Sequence, residues 1–163
     1  MVSLMFVVHM SYGYFVETRG KRQITSLFGQ YIPPELVDEM ARAPTQYSLE
    51  ADSRELTVLF SDVRGFTTIS EGLTARELSE LMNQFLTPMT GIIHHSRGTI
   101  DKYMGDAIMA FWGAPISDSE HARHALEAGM QMIAGLDAIN SEFRQRGWPE
   151  IRIGVGINTG IMS

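Results

Sequence analysis

At 163 residues the chain is long enough for one domain with a substantial core. Its formal net charge of −6 argues against a nucleic-acid binder, which carries a basic face. The absence of cysteine excludes a disulfide framework and a thiolate metal site, and fits a reducing compartment. The 11 methionines read as core filler on helix faces.

Met1 to Val16 is mostly apolar (MVSLMFVVHMSYGYFV), and Arg19, Lys21 and Arg22 follow at once. As a helix the run covers roughly 24 Å, slightly short of the about 20 apolar residues that a full span needs. Aromatic and then basic residues close it as at a membrane interface, so the favoured reading is the end of a transmembrane helix with its basic side cytoplasmic. A signal peptide fits less well, because the charges follow the apolar run and no small-residue cleavage site is evident. A buried helix is the third reading. Residues 1–20 are thus a partial transmembrane or apolar helix. Residues 21–53 form a juxtamembrane helical connector, broken at Pro33-Pro34, with Pro34 suited to the first turn of a short helix through Met40. The compact domain begins near Arg54.

Glu55 to Val63 (ELTVLFSDV) is apolar and β-branched and predicts a buried strand. Thr74 and Glu77 form a capping box. Leu78, Leu81, Met82, Phe85, Met89 and Ile92 then recur at helical spacing to about Ser96. Pro88 is placed to kink this helix, and Gly98 to stop it. Thr99–Tyr103 and Ala107–Trp112 read as two strands of a hairpin around Met104-Gly105-Asp106. Asp118 or Ser119 caps a second long helix, with a stripe of Ala122, Leu126, Met130, Ile133, Leu136 and Phe143. Gly147 and Pro149 end it. Ile151–Ile157 is a last strand, followed by an Asn158-Thr159-Gly160 turn. The order βαββαβ predicts an α+β, ferredoxin-like split βαβ domain over residues 54–163, behind an N-terminal helical extension. Because the chain stops just after that turn, the domain reads as truncated.

Asp62 ends the first strand and Asp106 tips the hairpin. In the split βαβ plan the first strand lies antiparallel to a hairpin strand, so the two carboxylates converge. Such a pair suits Mg²⁺ or Mn²⁺, which take hard oxygen ligands and phosphate oxygens. A two-metal site lowers the pKa of an attacking hydroxyl and stabilises a leaving phosphate. Taken singly, each Asp reads equally as a turn or cap residue. Between Asp62 and the helix lies Val63-Arg64-Gly65-Phe66-Thr67-Thr68. Gly65 permits close backbone approach, and N–H groups at a helix start attract anions. A plain strand-to-helix turn is the alternative.

FSDVRGFT (Phe60–Thr67) and DKYMGDAIMAFWGAP (Asp101–Pro115) closely resemble the two hallmark segments of class III adenylate and guanylate cyclases, and GVGINTG (Gly154–Gly160) resembles the next family strand and turn. The connector SLFGQYIPPELVDEM (Ser26–Met40) is similar to the segment that joins membrane helices to the cyclase domain in bacterial membrane-anchored members. The resemblance implies that Asp62 and Asp106 bind two Mg²⁺ or Mn²⁺ ions, with Val63 lending a backbone carbonyl. It implies that Gly65, Phe66 and Thr67 meet the nucleotide phosphates and that Lys102 reads the purine. Lys at that position marks adenylate cyclases, since it donates to adenine N1, whereas guanylate cyclases usually carry Glu. The implied reaction turns ATP into cyclic AMP and pyrophosphate. It takes place between two domains of a homodimer, held at the cell membrane by the N-terminal segment with the catalytic domain cytoplasmic and no role for nucleic acid. The family's later purine-contacting residue and its transition-state Asn and Arg have no counterpart before Ser163, so the chain alone is expected to be weak or inactive. The alternatives are a guanylate cyclase, which Lys102 speaks against, and a non-catalytic regulatory domain that binds nucleotide or dimerises. A diguanylate cyclase lacks its GGDEF-like hairpin here.

His121 and His124 read as a solvated helix face with no third metal ligand. His94 and His95 point to different sides of a helix. Gly154-x-Gly156 opens no helix, against a dinucleotide site. Trp112 and Trp148 read as packing residues.

Overall fold

The computed structural model describes Pro33, Leu36, Glu39 and residues 53–162. The apolar start, the end of the chain and most of the connector lie outside the described residues. Leu36 and Glu39 are helical. Leu36 is buried, and Glu39 meets Arg97 at 3.4 Å. Among the described residues no helix is long and apolar enough to cross a membrane.

The elements are β1 (Arg54–Val63), α1 (Phe66–Glu71), α2 (Ala75–His95), β2 (Thr99–Met104), β3 (Ala107–Trp112), α3 (His121–Arg146) and β4 (Ile153–Met162). The sheet order is β2-β3-β1-β4, with every neighbouring pair antiparallel. This is the split βαβ arrangement that the order of elements predicts. Along β1, Thr57, Leu59, Ser61 and Val63 are buried, while Phe60 and Asp62 are exposed. From Leu59 to Val63 this period of two gives the sheet one face toward the described helices and one that they leave free, although Val58, on that second face, is also buried. The core between sheet and helices includes Leu59, Ile108 and Trp112 from the strands, Leu81, Phe85 and Met89 from α2, and Met132 and Phe143 from α3.

The capping box forms as its residues predict. The Thr74 N–H donates to Glu77 Oε2 at 2.9 Å, and the Glu77 N–H donates to Thr74 Oγ1 at 3.3 Å. Three other features differ from the sequence-based expectation. First, α1 is an added short helix, so Phe66 and Thr67 begin a helix instead of lying in a turn. Second, β4 runs on to Met162. Asn158, Thr159 and Gly160 are ladder residues opposite Val58, Thr57 and Leu56, and the Thr159 and Thr57 hydroxyls lie 2.7 Å apart.

Third, α3 turns a different face to the core over its first half, while Leu136 and Phe143 of the expected stripe are buried. Ala125, Ala128, Gly129, Met132, Leu136, Ile139 and Phe143 face the core, while Leu126, Met130 and Ile133 are 55%, 64% and 54% exposed. The reason is steric. A Cβ on Gly129 would sit 3.2 Å from Ile157 Cδ1 and 3.3 Å from Val155 Cγ1, so the helix approaches the sheet through its small residues.

The start of α3 is held from outside. Its N-cap residue Glu120 makes no side-chain cap, and the Asp118 carboxylate instead accepts the Glu120 N–H at 3.0 Å and meets His124 Nδ1 at 2.6 Å. His121 Nδ1 lies 2.7 Å from the buried Thr57 hydroxyl, and its Nε2 lies 3.6 Å from Glu55. Both histidines are therefore structural anchors and not a solvated face. Burial acts to raise the Asp118 carboxyl. The His124 hydrogen bond, the Glu120 N–H and the charges of His124 and Arg97 outweigh it and hold the group below its ordinary value of 3.8. A depressed folded-state pKa contributes stability that is present above the unfolded value and lost as pH falls through the folded one. Asp118→Asn is therefore expected to lower the melting temperature at pH 7, with the gap to the native chain closing as pH drops below about 4. A gap that stays constant with pH would show that ionisation of Asp118 contributes nothing.

Candidate active site

The site is built where β1 ends beside the β2–β3 hairpin. The hairpin turns in two residues between the paired Met104 and Ala107. Gly105, first of the two, has φ 66°, a conformation that costs glycine nothing. Asp106 is the second. β1 and β3 pair as far as Ser61 opposite Ile108, which brings the last residues of β1 level with the turn. The Val63 N–H donates to Asp106 Oδ2 at 3.3 Å. Asp62 precedes Val63 and is exposed on the helix-free face.

The Asp62 carboxylate lies close enough to act on that of Asp106. Burial pushes the Asp106 carboxyl above its usual value. A hydrogen bond with Asp62 and the Asp62 charge push it further, while the backbone N–H groups of Asp106 and Val63 hold it back in part. Two like charges at one sheet end, at the mouth of a turn, favour either a proton or a cation between them. Among the described residues no cluster of three or more His, Cys, Asp or Glu could hold a metal. The donor set of two carboxylates therefore fits a hard, octahedral cation that keeps waters and takes phosphate oxygens for its remaining positions.

Gly65, at φ 71° in the left-handed region, turns the chain from β1 into α1. Phe66 packs partly buried against the core, and Thr67 is exposed. Val63 is buried through its side chain and presents its backbone to the site.

Lys102 stands apart from this group. It lies on the outer strand β2, opposite Met109, which in turn faces Phe60 of β1. The ladder shifts register between Ile100 and Lys102. That extra residue places Lys102 on the helix-free face although Ile100, two residues before it, is buried on the other side. Lys102 Nζ meets Asp101 at 3.1 Å, a contact between adjacent side chains that regular alternation would have kept on opposite faces. Lys102 thus shares a face with Asp62 but is separated from β1 by β3.

Arg64, which no sequence motif singles out, lies at the same end of the sheet. A Cβ placed on Gly154 would meet its Nη2 at 3.3 Å, so the guanidinium lies over that glycine. A glycine inside a strand signals close approach by another group, and Gly154 is such a glycine, whereas a Cβ on Gly156 would meet nothing within 4 Å.

An antiparallel split βαβ sheet with paired carboxylates at its hairpin end defines the class of fold. Within it the family is specific: residues 49–163 match the adenylate and guanylate cyclase catalytic domain, and the chain belongs to that family. It is 35% identical over 133 residues to adenylate cyclase 1 of Rhizobium meliloti (strain 1021), a match covering 82% of this chain and 20% of that protein. It spans about a fifth of the length of that relative. Among solved structures, the guanylyl cyclase Cya2 superimposes with a TM-score of 0.67 at 39% identity, covering 69% of this chain and 57% of that one. The adenylyl cyclase CyaB from P. aeruginosa gives the same score and identity, covering 69% and 59%. One of these two is a guanylyl and the other an adenylyl cyclase, so overall likeness does not select the purine.

Proposed function

We propose that this chain is the metal-binding part of an adenylate cyclase catalytic domain that converts ATP to cyclic AMP and pyrophosphate. The observation that carries the reading is the convergence of Asp62 and Asp106 at one end of the sheet, in a chain of the cyclase family. Asp62 and Asp106 hold the divalent cations, two Mg²⁺ or Mn²⁺ ions, with the Val63 carbonyl beside them. The ions supply charge neutralisation at the phosphates and acidify the ribose 3′-hydroxyl. Val63 donates its N–H to Asp106 and so fixes that carboxylate against the end of β1. Gly65 opens α1 so that the N–H groups of Phe66 and Thr67, which precede the first helical hydrogen bonds, are available to phosphate oxygens.

Lys102 reads the purine. The intervening strand β3 between Lys102 and the strand of Asp62 supports a homodimer in which the lysine of one copy serves nucleotide held by the other. The N-terminal apolar and basic segment supports attachment to the cell membrane with this domain on the cytoplasmic side.

The test is cyclic nucleotide output from ATP and from GTP with Mn²⁺, assayed in this chain and in a form extended past Ser163 with the closing segment of the matched domains. Cyclic AMP as the main product of the extended form supports the reading. A folded, dimeric extended form that makes neither product leaves a regulatory domain as the better account. Lys102→Glu is expected to move the ATP-to-GTP preference toward GTP by about tenfold or more, because the lysine donates to adenine N1 whereas guanine N1 carries a proton. An unchanged ratio removes Lys102 from purine recognition.

A further inference from the structure

Arg64 follows Asp62-Val63 directly, and its N–H donates to the Arg152 carbonyl at 2.8 Å, tying the end of β1 to the start of β4. Its side chain then folds across β4. A Cβ on Gly154 would meet Nη2 at 3.3 Å and both Cζ and Nε at 3.7 Å, so the guanidinium rests broadly on the glycine backbone. Gly154 is the ladder partner of Asp62. Directly opposed residues project to the same face with Cβ positions about 5 Å apart. Arg64 therefore holds its cation one strand over from Asp62, on the face and at the sheet end where Asp62 and Asp106 converge.

Its lack of a partner is distinctive. Arg76, Arg97, Arg123 and Arg144 each hold a carboxylate, and Arg146 lies over Trp148. Among the described residues, Arg64 and Arg152 form no ion pair, and both stand at this end of the sheet. A guanidinium held one strand over from Asp62, at the end of the sheet where the two carboxylates converge and bonded to neither, is available to an anion that the carboxylate-bound cations would bring in. Its planar fork of donors suits two oxygens of one phosphoryl group.

We propose that Arg64, seated on Gly154, binds the terminal phosphoryl groups of the metal-bound nucleoside triphosphate and holds the departing pyrophosphate. The proposal rests on the cyclase reading and adds a residue and its seat to it. As the ribose 3′-oxygen bonds to the α-phosphorus, the bond from that phosphorus to the β-bridging oxygen breaks. The electron pair goes to pyrophosphate, and the 3′ proton passes to water. Arg64 makes and breaks no covalent bond; it offsets the charge that accumulates on the leaving group. Gly154 is a positioning residue, because a Cβ there would press on Nη2 at 3.3 Å and the branches of a larger side chain would take the place of the guanidinium.

The experiment is calorimetric titration of inorganic pyrophosphate into the chain at saturating Mn²⁺, with Mn²⁺ binding alone followed by electron paramagnetic resonance. Arg64→Ala and Gly154→Val are expected to weaken pyrophosphate binding by about tenfold or more, and Arg64→Lys by less. Arg76→Ala, which removes the same charge from the exposed surface of α2, is expected to leave binding unchanged. Mn²⁺ affinity and melting temperature are expected to hold in all four. Pyrophosphate bound equally by the native chain and Arg64→Ala overturns the role of Arg64 and leaves the metal reading standing. An equal loss in Arg76→Ala also overturns it, as an effect of net charge. Full binding by Gly154→Val overturns the seat. Failure of the native chain to bind Mn²⁺ sinks the cyclase reading and this proposal together.

Discussion

Asp106→Asn is expected to reduce cyclic nucleotide output by on the order of 10²–10³-fold while leaving the metal-free fold no less stable. The two halves of this expectation have one cause. Asn keeps an oxygen that can accept the Val63 N–H, so the bond that ties the hairpin turn to the end of β1 survives. What is lost is a charge, and that charge is held at a cost. Burial raises the Asp106 carboxyl, and Asp62 raises it further through a hydrogen bond and its own charge. For a carboxyl raised on folding, the linked stability is fully present below the unfolded pKa and is lost as pH rises through the folded one. At neutral pH the ionised pair therefore opposes folding when no cation lies between its members. Removing one charge relieves this, and removing it also weakens the grip on any cation. Two melting curves separate the terms. Without metal, Asp106→Asn is expected to match or exceed the native chain near pH 7, and to lose that advantage as pH falls into the carboxylate range. With Mn²⁺, only the native chain gains stability, since a ligand stabilises the state it binds. Equal stabilisation of both chains by Mn²⁺ would remove Asp106 from the metal site.

The residues that carry this site were the most legible part of the chain. Asp62 and Asp106 could be paired from sequence because the order of elements alone sets β1 antiparallel to β3, and Ser61 opposite Ile108 realises it. What sequence patterns missed depends on contacts between elements. In α3 the larger apolar residues Leu126, Met130 and Ile133 dominate the periodicity, but close packing on Val155 and Ile157 selected the face of Ala125, Ala128 and Gly129. His121 and His124 read as surface residues because their partners Thr57 and Asp118 become neighbours only through folding. Lys102 shares the face of Asp62 only through the register shift after Ile100, which no alternation of apolar residues announces. The end of α2 shows the same limit. Gly98 reads as the residue that stops the helix, yet the left-handed residue there is Arg97, at φ 65°, and the Gly98 N–H closes the turn on the Ile93 carbonyl at 2.9 Å.

Gly98 is required for a different reason, and Gly98→Ala is expected to destabilise the domain by about 3 kcal/mol or more, the upper part of the range for overpacking. A Cβ at this position would lie 2.5 Å from Trp112 Cζ2, 2.6 Å from Trp112 Cε2 and 2.7 Å from Ile93 Cγ2. Those neighbours have little room to yield. Trp112 and Ile93 are both fully buried, and the indole Nε1–H donates to the Ser96 carbonyl at 2.7 Å. Rotating the ring away would break that bond and leave a buried carbonyl unpaired, at about 1–3 kcal/mol. Moving the backbone instead would pull β2 away from the end of α2, since Thr99 begins that strand one residue later. Either route falls on the hairpin that carries Asp106 at its tip, so activity is expected to fall along with stability. Chemical denaturation of Gly98→Ala, Trp112→Phe and the double variant isolates the cause. Phe lacks the second ring of the indole that the methyl group would strike. The cost of Gly98→Ala is therefore expected to shrink in the Trp112→Phe background, a coupling that contact between the two positions produces. A full, undiminished cost in that background would place the clash elsewhere, on Ile93 or on the backbone of the turn itself.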